Sequence, residues 1–235
     1  MMWFAEPVKQ LVTALVLLAM AQSQAPSSQR FAVLETGEFH GTDVALEQPA
    51  AWVGVFCQGE VCAARPVTLK TARIPDPLGD DEENKPTGTS IAVSSKQQPL
   101  FLVRGISAAQ RLLPTAFVGE QALAAGDEQK FVLAEVTYTL RVEGTKTAKD
   151  LLPKGSRLLL FDGAVSQELF SLPDGGNDPY ITVMWVGDLD GDGKPDLYVN
   201  TSDHYNVAYK VLWLSSLAKP GQLVGQAAVF RTVGC

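Results

Sequence analysis

The chain has 235 residues and a formal net charge of −7, with 26 acidic residues against 19 Lys and Arg. An acidic chain without a basic patch is a poor partner for nucleic acid or for an anionic membrane surface. The length allows one large β domain or two small ones.

The N-terminal segment is typical of a secretory signal peptide. A short n-region with one cation precedes the apolar run 11–20, and Ala19-Met20-Ala21 has the small-x-small pattern of a cleavage site. This pattern predicts a signal peptide over residues 1–21, with residue 25 as the alternative end. A membrane span needs ~20 apolar residues, and no other run approaches that length. We therefore expect a secreted or periplasmic protein without a membrane span.

The cysteines predict a disulfide across a β-hairpin. Cys57 directly follows the apolar run 51–56, and Cys62 is the second residue of the run 61–70, with Gly59 available for the turn. Cysteines that face each other across a hairpin can be close enough to bridge. Sequence alone leaves three pairings open among the three cysteines. We expect Cys57–Cys62, with Cys235 free.

Strand-like segments occupy both sides of an acidic stretch. Residues 30–73 contain short β-branched and apolar runs and predict an N-terminal β subdomain. Residues 74–90 are rich in Pro, Gly and acid and predict an exposed loop or linker. Residues 91–235 return to strand signals and predict a second β domain. His40, in a turn-rich link, is a candidate ligand or base, although a solvated loop histidine is the simpler interpretation.

The C-terminal half predicts antiparallel strands with few helices. Residues 130–142 are read as one strand whose second half alternates apolar and polar side chains, and residues 157–172 predict a hairpin around Asp162-Gly163. The segments 108–113 and 120–128 are the two candidates for short helices. The predicted class is mainly β, with antiparallel sheets in a sandwich-like or irregular arrangement.

Aspartates at alternating positions form the most informative stretch of the chain. They lie between the strand-like runs 180–186 and 197–199, with Gly191 and Gly193 among them. Calcium takes six to eight oxygen ligands, and the EF-hand loop supplies them from positions 1, 3, 5, 7 (a carbonyl) and 9. Counted from the first aspartate, these positions are Asp188, Asp190, Asp192, Lys194 and Asp196. The spacing favours a calcium ion in a strand–loop–strand unit, and the alternative is an Asp/Gly-rich turn without metal.

The run Gly187-Asp-Leu-Asp-Gly-Asp-Gly-Lys-Pro-Asp-Leu197 resembles the calcium loop of the FG-GAP repeats in integrin α-chains and in related secreted bacterial proteins. The resemblance covers residues 183–200 and implies that the four aspartates and the Lys194 carbonyl bind calcium. That family assembles several such units into a seven-bladed propeller. One copy occurs here, so a full propeller is not expected. The wider C-terminal run also resembles a group of uncharacterised secreted bacterial proteins, which implies no activity.

A second place for chemistry is the segment 203–206. Asp203 and His204 are an acid and a histidine near one strand end, expected close to the metal loop. A turn in which Asp203 and Asn206 bond their own backbone is the favoured interpretation. Two functions follow. The first is a non-enzymatic binding or structural module whose partner is an extracellular protein or glycan. The second is a metal-dependent or metal-stabilised hydrolase that uses Asp203 or His204.

Overall fold

The computed structural model describes residues 30–41, 43–44, 51–80, 85–147 and 151–234. These residues form 17 β-strands and one 3-10 helix, which confirms the prediction of a mainly β fold. The predicted signal peptide and Cys235 lie outside them. In chain order the strands are β1 (Ala32–Leu34), β2 (Gly37–Phe39), β3 (Trp52–Gln58), β4 (Val61–Val67), β5 (Leu69–Ile74), β6 (Gly88–Val93), β7 (Phe101–Arg104), β8 (Arg111–Leu113), β9 (Thr115–Leu123), β10 (Glu128–Leu133), β11 (Val136–Glu143), β12 (Arg157–Phe161), β13 (Ser166–Ser171), β14 (Tyr180–Gly187), β15 (Asp196–Ser202), β16 (Val207–Leu214) and β17 (Gly225–Val233).

The strands form four antiparallel sheets. Sheet I has the order β1-β7-β3-β4-β8, and sheet II has the order β2-β6-β5. Sheet III has the order β17-β16-β15-β14-β9, and sheet IV has the order β10-β11-β12-β13. Within the described part of the chain these sheets are not the blades of a propeller, as the single copy of the aspartate motif predicted.

Sheet III is the middle layer of the molecule. One face shares a core with sheets I and II, where the rings of Phe101 and Tyr198 lie 4.5 Å apart. The other face shares a second core with sheet IV, to which Leu140, Leu158 and Val199 belong. A hydrophobic core therefore lies on each side of sheet III.

β14 and β15 run through the centre of both cores. All seven residues of β15 are buried. Tyr198 belongs to the core with sheet I, whereas Leu197 and Val199 belong to the core with sheet IV. A strand covered on both faces needs apolar residues at consecutive positions rather than in alternation. The aspartate loop therefore connects two central strands.

The predictions of two short helices, over residues 108–113 and 120–128, are wrong. The segment 108–113 ends in β8, which pairs with β4 and buries Leu113 against the core. The segment 120–128 begins as the end of β9, which pairs with β14. Isolated helices of six to nine residues are unstable in water, whereas pairing with a neighbouring strand satisfies the backbone and buries apolar side chains. The 3-10 helix Ser215–Leu217 is the one helix among the described residues, and nothing in that part of the chain is a helix able to cross a bilayer.

The predicted long strand over residues 130–142 is also wrong, because the chain reverses within it. β10 and β11 pair as a hairpin, with Leu133 opposite Val136. The turn residues Ala134 and Glu135 have φ angles of 47° and 67°. This left-handed conformation suits a two-residue hairpin turn, for which Gly and Asn are the usual sequence signals. Neither residue is present, so the local sequence does not indicate this turn.

The other hairpin predictions are confirmed. Cys57 faces Cys62 across β3 and β4, the two form a disulfide, and Gly59 supplies a φ of 59° in the turn. β12 and β13 pair around Asp162-Gly163, where the Asp162 carboxylate accepts hydrogen bonds from the N–H groups of residues 164 and 165. Both turns carry local sequence signals that do not depend on distant contacts.

Two of the sheets combine strands that precede the acidic segment 74–90 with strands that follow it or begin within it. β5 and β6, which overlap its two ends, pair directly in sheet II, and β7 pairs with β1 and β3 in sheet I. Strand Gly88–Val93 begins inside the segment that was expected to be a loop. Residues on both sides of the segment therefore share sheets and a core.

Candidate metal centre

The aspartate loop is held against the connection between β8 and β9. It leaves β14 at Gly187 and enters β15 at Asp196, which confirms the predicted strand–loop–strand order. The Asp188 N–H donates to the Pro114 carbonyl at 2.8 Å, and the Arg111 guanidinium donates to the Leu189 carbonyl. The loop is thus fixed to a second element that the sequence pattern did not indicate.

Asp188 organises the turn with its side chain. Its carboxylate accepts N–H donors from Gly191 at 2.7 Å, from Asp192 at 3.1 Å and from Gly193 at 3.0 Å. The two glycines have φ angles of 88° and 79°, a conformation that side chains with a Cβ rarely adopt. An ionised carboxylate has about four acceptor sites. Three N–H donors occupy three of them, so the Asp188 carboxylate can still bind one further partner, such as a cation.

Asp196 is fully buried at the start of β15. Its two oxygens accept N–H donors from Leu189 at 2.7 Å, from Asp190 at 3.2 Å and from Ser215 at 2.8 Å. Burial raises the pKa of Asp196 to about 7, against the opposing effect of the Ser215 N–H, and the negative charge of Asp190 adds to the rise. A nearby cation would stabilise the ionised form of a carboxyl group in this position.

Asp190 and Asp192 meet two hydroxyl groups at the 3-10 helix. The Ser216 hydroxyl donates to one Asp190 oxygen at 2.5 Å, while the other Asp190 oxygen is buried without a hydrogen-bond donor among the described residues. The Ser215 hydroxyl lies 2.8 and 2.9 Å from the Asp192 oxygens and 3.1 Å from an Asp196 oxygen. One hydroxyl proton cannot serve three carboxylate oxygens at once.

Three of the five predicted ligands converge. Asp188, Asp190 and Asp196 each offer a carboxylate oxygen, and these oxygens all lie within 4.8 Å of one another. Two oxygens that share a calcium ion at ~2.3–2.6 Å can be no more than about 5 Å apart. Asp192 is outside this group and contacts Ser215, and the Lys194 N–H donates back to Asp192 at 2.9 Å. The three residues fit a divalent cation by donor type and by spacing.

The convergent carboxylates form no ion pair with the described basic side chains. Within the ranges that the structure describes, no Lys, Arg or His nitrogen forms an ion pair within 4.0 Å with any of the four loop aspartates. Buried carboxylates are rarely left unpaired, because water no longer screens their charge. A bound cation would supply the missing charge.

Sequence reasoning missed the partners supplied by other elements. Ser215 and Ser216 follow β16, and Arg111 lies in β8, where the sequence predicts a helix. Ser215 is 19 residues from Asp196 but donates its N–H to that carboxylate. The Ser-Ser pair at the end of an apolar strand was visible in the sequence, but its meaning depends on the pairing of β15 with β16.

Asp203 and His204 lie at the opposite end of β15 from the loop, which corrects the expectation that they lie near it. Seven extended residues separate the two ends by about 20 Å. The His204 ring contacts the Asn177 amide at 3.1 Å and accepts the Asn206 N–H at 3.4 Å. Among the described hydrogen bonds none joins the Asp203 carboxylate to the ring, so these residues do not form an acid–histidine pair beside the metal loop.

His40 forms a separate contact with a buried acid. Its Nδ1 lies 2.8 Å from the Asp76 carboxylate, which also accepts the Gly41 and Leu78 N–H groups at 3.1 Å each. The His40 hydrogen bond, opposed by burial and supported by these N–H donors, lowers the pKa of Asp76. The arrangement ties the chain before β3 to the end of β5.

Comparisons of the chain with protein-family models, with curated proteins and with solved structures found no match.

Proposed function

We propose that this chain is a secreted or periplasmic β protein that binds one calcium ion in the loop between β14 and β15. The observation that carries the proposal is the convergence of Asp188, Asp190 and Asp196 within 4.8 Å, with no ion pair to a Lys, Arg or His side chain among the described residues. The Asp190 oxygen that is buried without a donor supports it independently.

Calcium is the cation that the donor set favours. All candidate ligands are oxygens, and the set contains neither His nor Cys, so zinc and the softer metals are poor fits. Ca²⁺ tolerates irregular oxygen cages with many protein ligands, whereas Mg²⁺ demands near-ideal octahedral geometry and keeps several waters. The EF-hand-like spacing of the aspartates points in the same direction.

The role proposed for the ion is structural. It would offset two of the three negative charges of the converging carboxylates and hold the loop against Ser215 and against the β8–β9 connection. Because β14 and β15 pass through both cores, an ordered connection between them stabilises the whole fold. Without the ion, repulsion between Asp190 and the buried Asp196 opposes folding.

A non-enzymatic module is favoured over a hydrolase. The carboxylates of the loop are occupied as ligands or hydrogen-bond acceptors, and His204, the alternative catalytic residue, is about 20 Å away with its ring bonded to Asn177. Secretion is inferred from the signal-like segment 1–21 and agrees with the Cys57–Cys62 disulfide, since such bonds persist in oxidising compartments.

The test is thermal unfolding of the chain in excess calcium and in chelator. A ligand at ~100 times its dissociation constant stabilises by about 2.7 kcal/mol, which corresponds to a rise of roughly 5–10 °C in melting temperature for a protein of this size. We expect the rise in the parent and its loss in Asp190→Ala. Asp174→Ala, at a strongly exposed aspartate outside the loop, is the matched control and should keep it. Identical curves for the parent in both buffers would refute the proposal.

A further inference from the structure

A second feature, apart from the metal loop, is the open edge of sheet II. β5 is the last strand of this sheet and pairs with β6 alone among the described strands. Its four central residues are exposed. In an antiparallel pair, alternate residues direct their N–H and carbonyl groups away from the neighbouring strand. The outer side of β5 therefore presents a row of main-chain donors and acceptors, which is a template for an added strand.

β5 is better suited to strand addition than the other described edges. The edge strands β1, β2 and β8 have three residues each. The edges β9, β13 and β17 pair with their neighbours in a register that shifts, and such bulges discourage further pairing. β10 lies against β9. β5, in contrast, keeps an unbroken register with β6 over all of its six residues.

The edge formed by β5 carries positive charge. Lys70 and Arg73 are exposed and lie on opposite faces of the strand, because they are three positions apart. Neither side chain forms an ion pair with a described residue. Glu38, the acidic residue in the strands of sheet II, lies on β2 at the opposite edge. This local charge differs in sign from the net charge of −7 of the chain and favours an acidic partner.

Arg73 also borders a cavity at the end of β5. The cavity has a volume of about 590 Å³, and Lys85 adds a second positive charge to its lining. One guanidinium nitrogen of Arg73 donates to the Thr87 carbonyl at 2.6 Å and to the Thr89 hydroxyl at 3.1 Å. These bonds fix the group, and its other two nitrogens keep their donors for a carboxylate. Asp76, the carboxylate in the lining, is already bound by three donors.

A second copy of the chain is a poor occupant of this edge. When two β5 strands pair antiparallel with full overlap, residue 70 of each copy is opposite residue 73 of the other. Like charges in directly opposite positions destabilise a sheet. A free anion is also a poor match, because it would bind Arg73 and leave the main-chain groups of the edge unused. A strand with carboxylates three positions apart satisfies the main chain and both cations.

We propose that β5 binds an extended acidic peptide segment of another protein by strand addition. The main chain of the segment pairs with the open edge. Two carboxylates three positions apart bind Lys70 and Arg73, one on each face of the extended sheet. The inference rests on the proposed function as a binding module, for which it supplies a partner class, but it uses no residue of the aspartate loop.

The experiment is calorimetric titration of the chain, in calcium, with the capped peptide Thr-Glu-Thr-Val-Glu-Thr. We expect a dissociation constant below about 1 mM. The isomer Thr-Glu-Thr-Glu-Val-Thr has the same composition but places both carboxylates on one face of a strand, and it should bind more weakly. A version of the first peptide with N-methylated central amides cannot add to a sheet and should not bind.

Two variants test the side chains of the edge. Arg73→Gln should weaken binding of the first peptide about tenfold, because it removes a charge-assisted contact. Lys70→Gln should weaken it by a smaller factor, as expected for an exposed charge pair. Since no described residue bonds the Lys70 ammonium group, this variant should fold normally. Arg231→Gln, at an exposed arginine on β17, is the matched control and should bind as the parent does.

Four results would overturn the proposal. They are no binding of the first peptide, equal binding of its N-methylated version, which would indicate recognition of a free anion, and unchanged binding by both variants. The fourth is a dimer of the chain in sedimentation that dissociates in Lys70→Gln, which would assign the edge to a second copy. The calcium proposal fails separately, because its test is the melting shift lost in Asp190→Ala, a variant that keeps every residue of β5.

Discussion

Replacing Asp196 with Asn separates the role of this side chain as a charged ligand from its role as a hydrogen-bond acceptor. Asp196 is fully buried, and its oxygens accept the N–H groups of Leu189, Asp190 and Ser215 at 2.7–3.2 Å. Asn has the same shape, but only one of its two polar ends can accept. At least one buried N–H group therefore loses its acceptor, which costs about 1–3 kcal/mol.

Removing the negative charge of Asp196 should stabilise the protein, which opposes the cost of the lost hydrogen bond. Burial raises the pKa of Asp196 from 3.8 to about 7. In chelator at about pH 8, keeping the folded carboxylate ionised therefore costs about 4 kcal/mol. Asn removes this cost. In chelator we expect Asp196→Asn to be about 1–3 kcal/mol more stable than the parent, the difference between the two effects.

Calcium should reverse the stability advantage that Asp196→Asn has in chelator. The parent gains about 2.7 kcal/mol when calcium is at ~100 times its dissociation constant, whereas the variant lacks a ligand and gains little. The assay is urea unfolding at about pH 8, with and without calcium, and Asp174→Asn is the matched control. If Asp196→Asn keeps the full calcium-dependent gain of the parent, Asp196 is not a ligand. If it is much less stable than the parent in chelator, the assigned cost of ionisation is wrong.

Three further predictions concern pH, the disulfide and the core. In chelator the melting temperature should rise as the pH falls from about 8 to 5, because the raised pKa of Asp196 contributes stability that is present below about 3.8 and is lost as the pH rises through about 7. An equal slope in Asp196→Asn contradicts this. Reduction of Cys57–Cys62, five residues apart, should remove about 2 kcal/mol and lower the melting temperature by roughly 4–8 °C. The double Ser variant should not respond to reductant. Tyr198→Phe deletes a buried hydroxyl that donates to Glu35 at 3.0 Å, and should cost about 1.5–3 kcal/mol in urea unfolding. An unchanged midpoint would show that this bond contributes nothing.

Features with local signals were predictable from the sequence. The hairpin of Cys57 and Cys62 has Gly59 at its turn, and the turn at Asp162-Gly163 has an acid that bonds its own backbone. The strand–loop–strand at residues 180–202 is marked by aspartates between β-branched runs. In each case neighbours in sequence supply the determining interaction.

Features that depend on distant partners were not predictable in this way. The segment 108–113 has a helical composition, but its Leu113 is placed opposite Cys62 by sheet pairing. The chain reverses at Ala134 and Glu135 without a turn residue, because the pairing of β10 with β11 compensates for two left-handed residues. Contacts across the sheet override local preference in both places.

The sequence by itself determined the β class, the two marked hairpins and the oxygen donors of the aspartate loop, because side-chain alternation, turn residues and aspartate spacing act over a few positions. Only the tertiary structure decided which donors meet. Asp188, Asp190 and Asp196 converge while Asp192 contacts Ser215, and the alternative pair Asp203 and His204 lies at the far end of β15. The physical reason is that burial and the distance between carboxylates depend on how β14, β15 and β16 pair, and that pairing joins residues far apart in the chain.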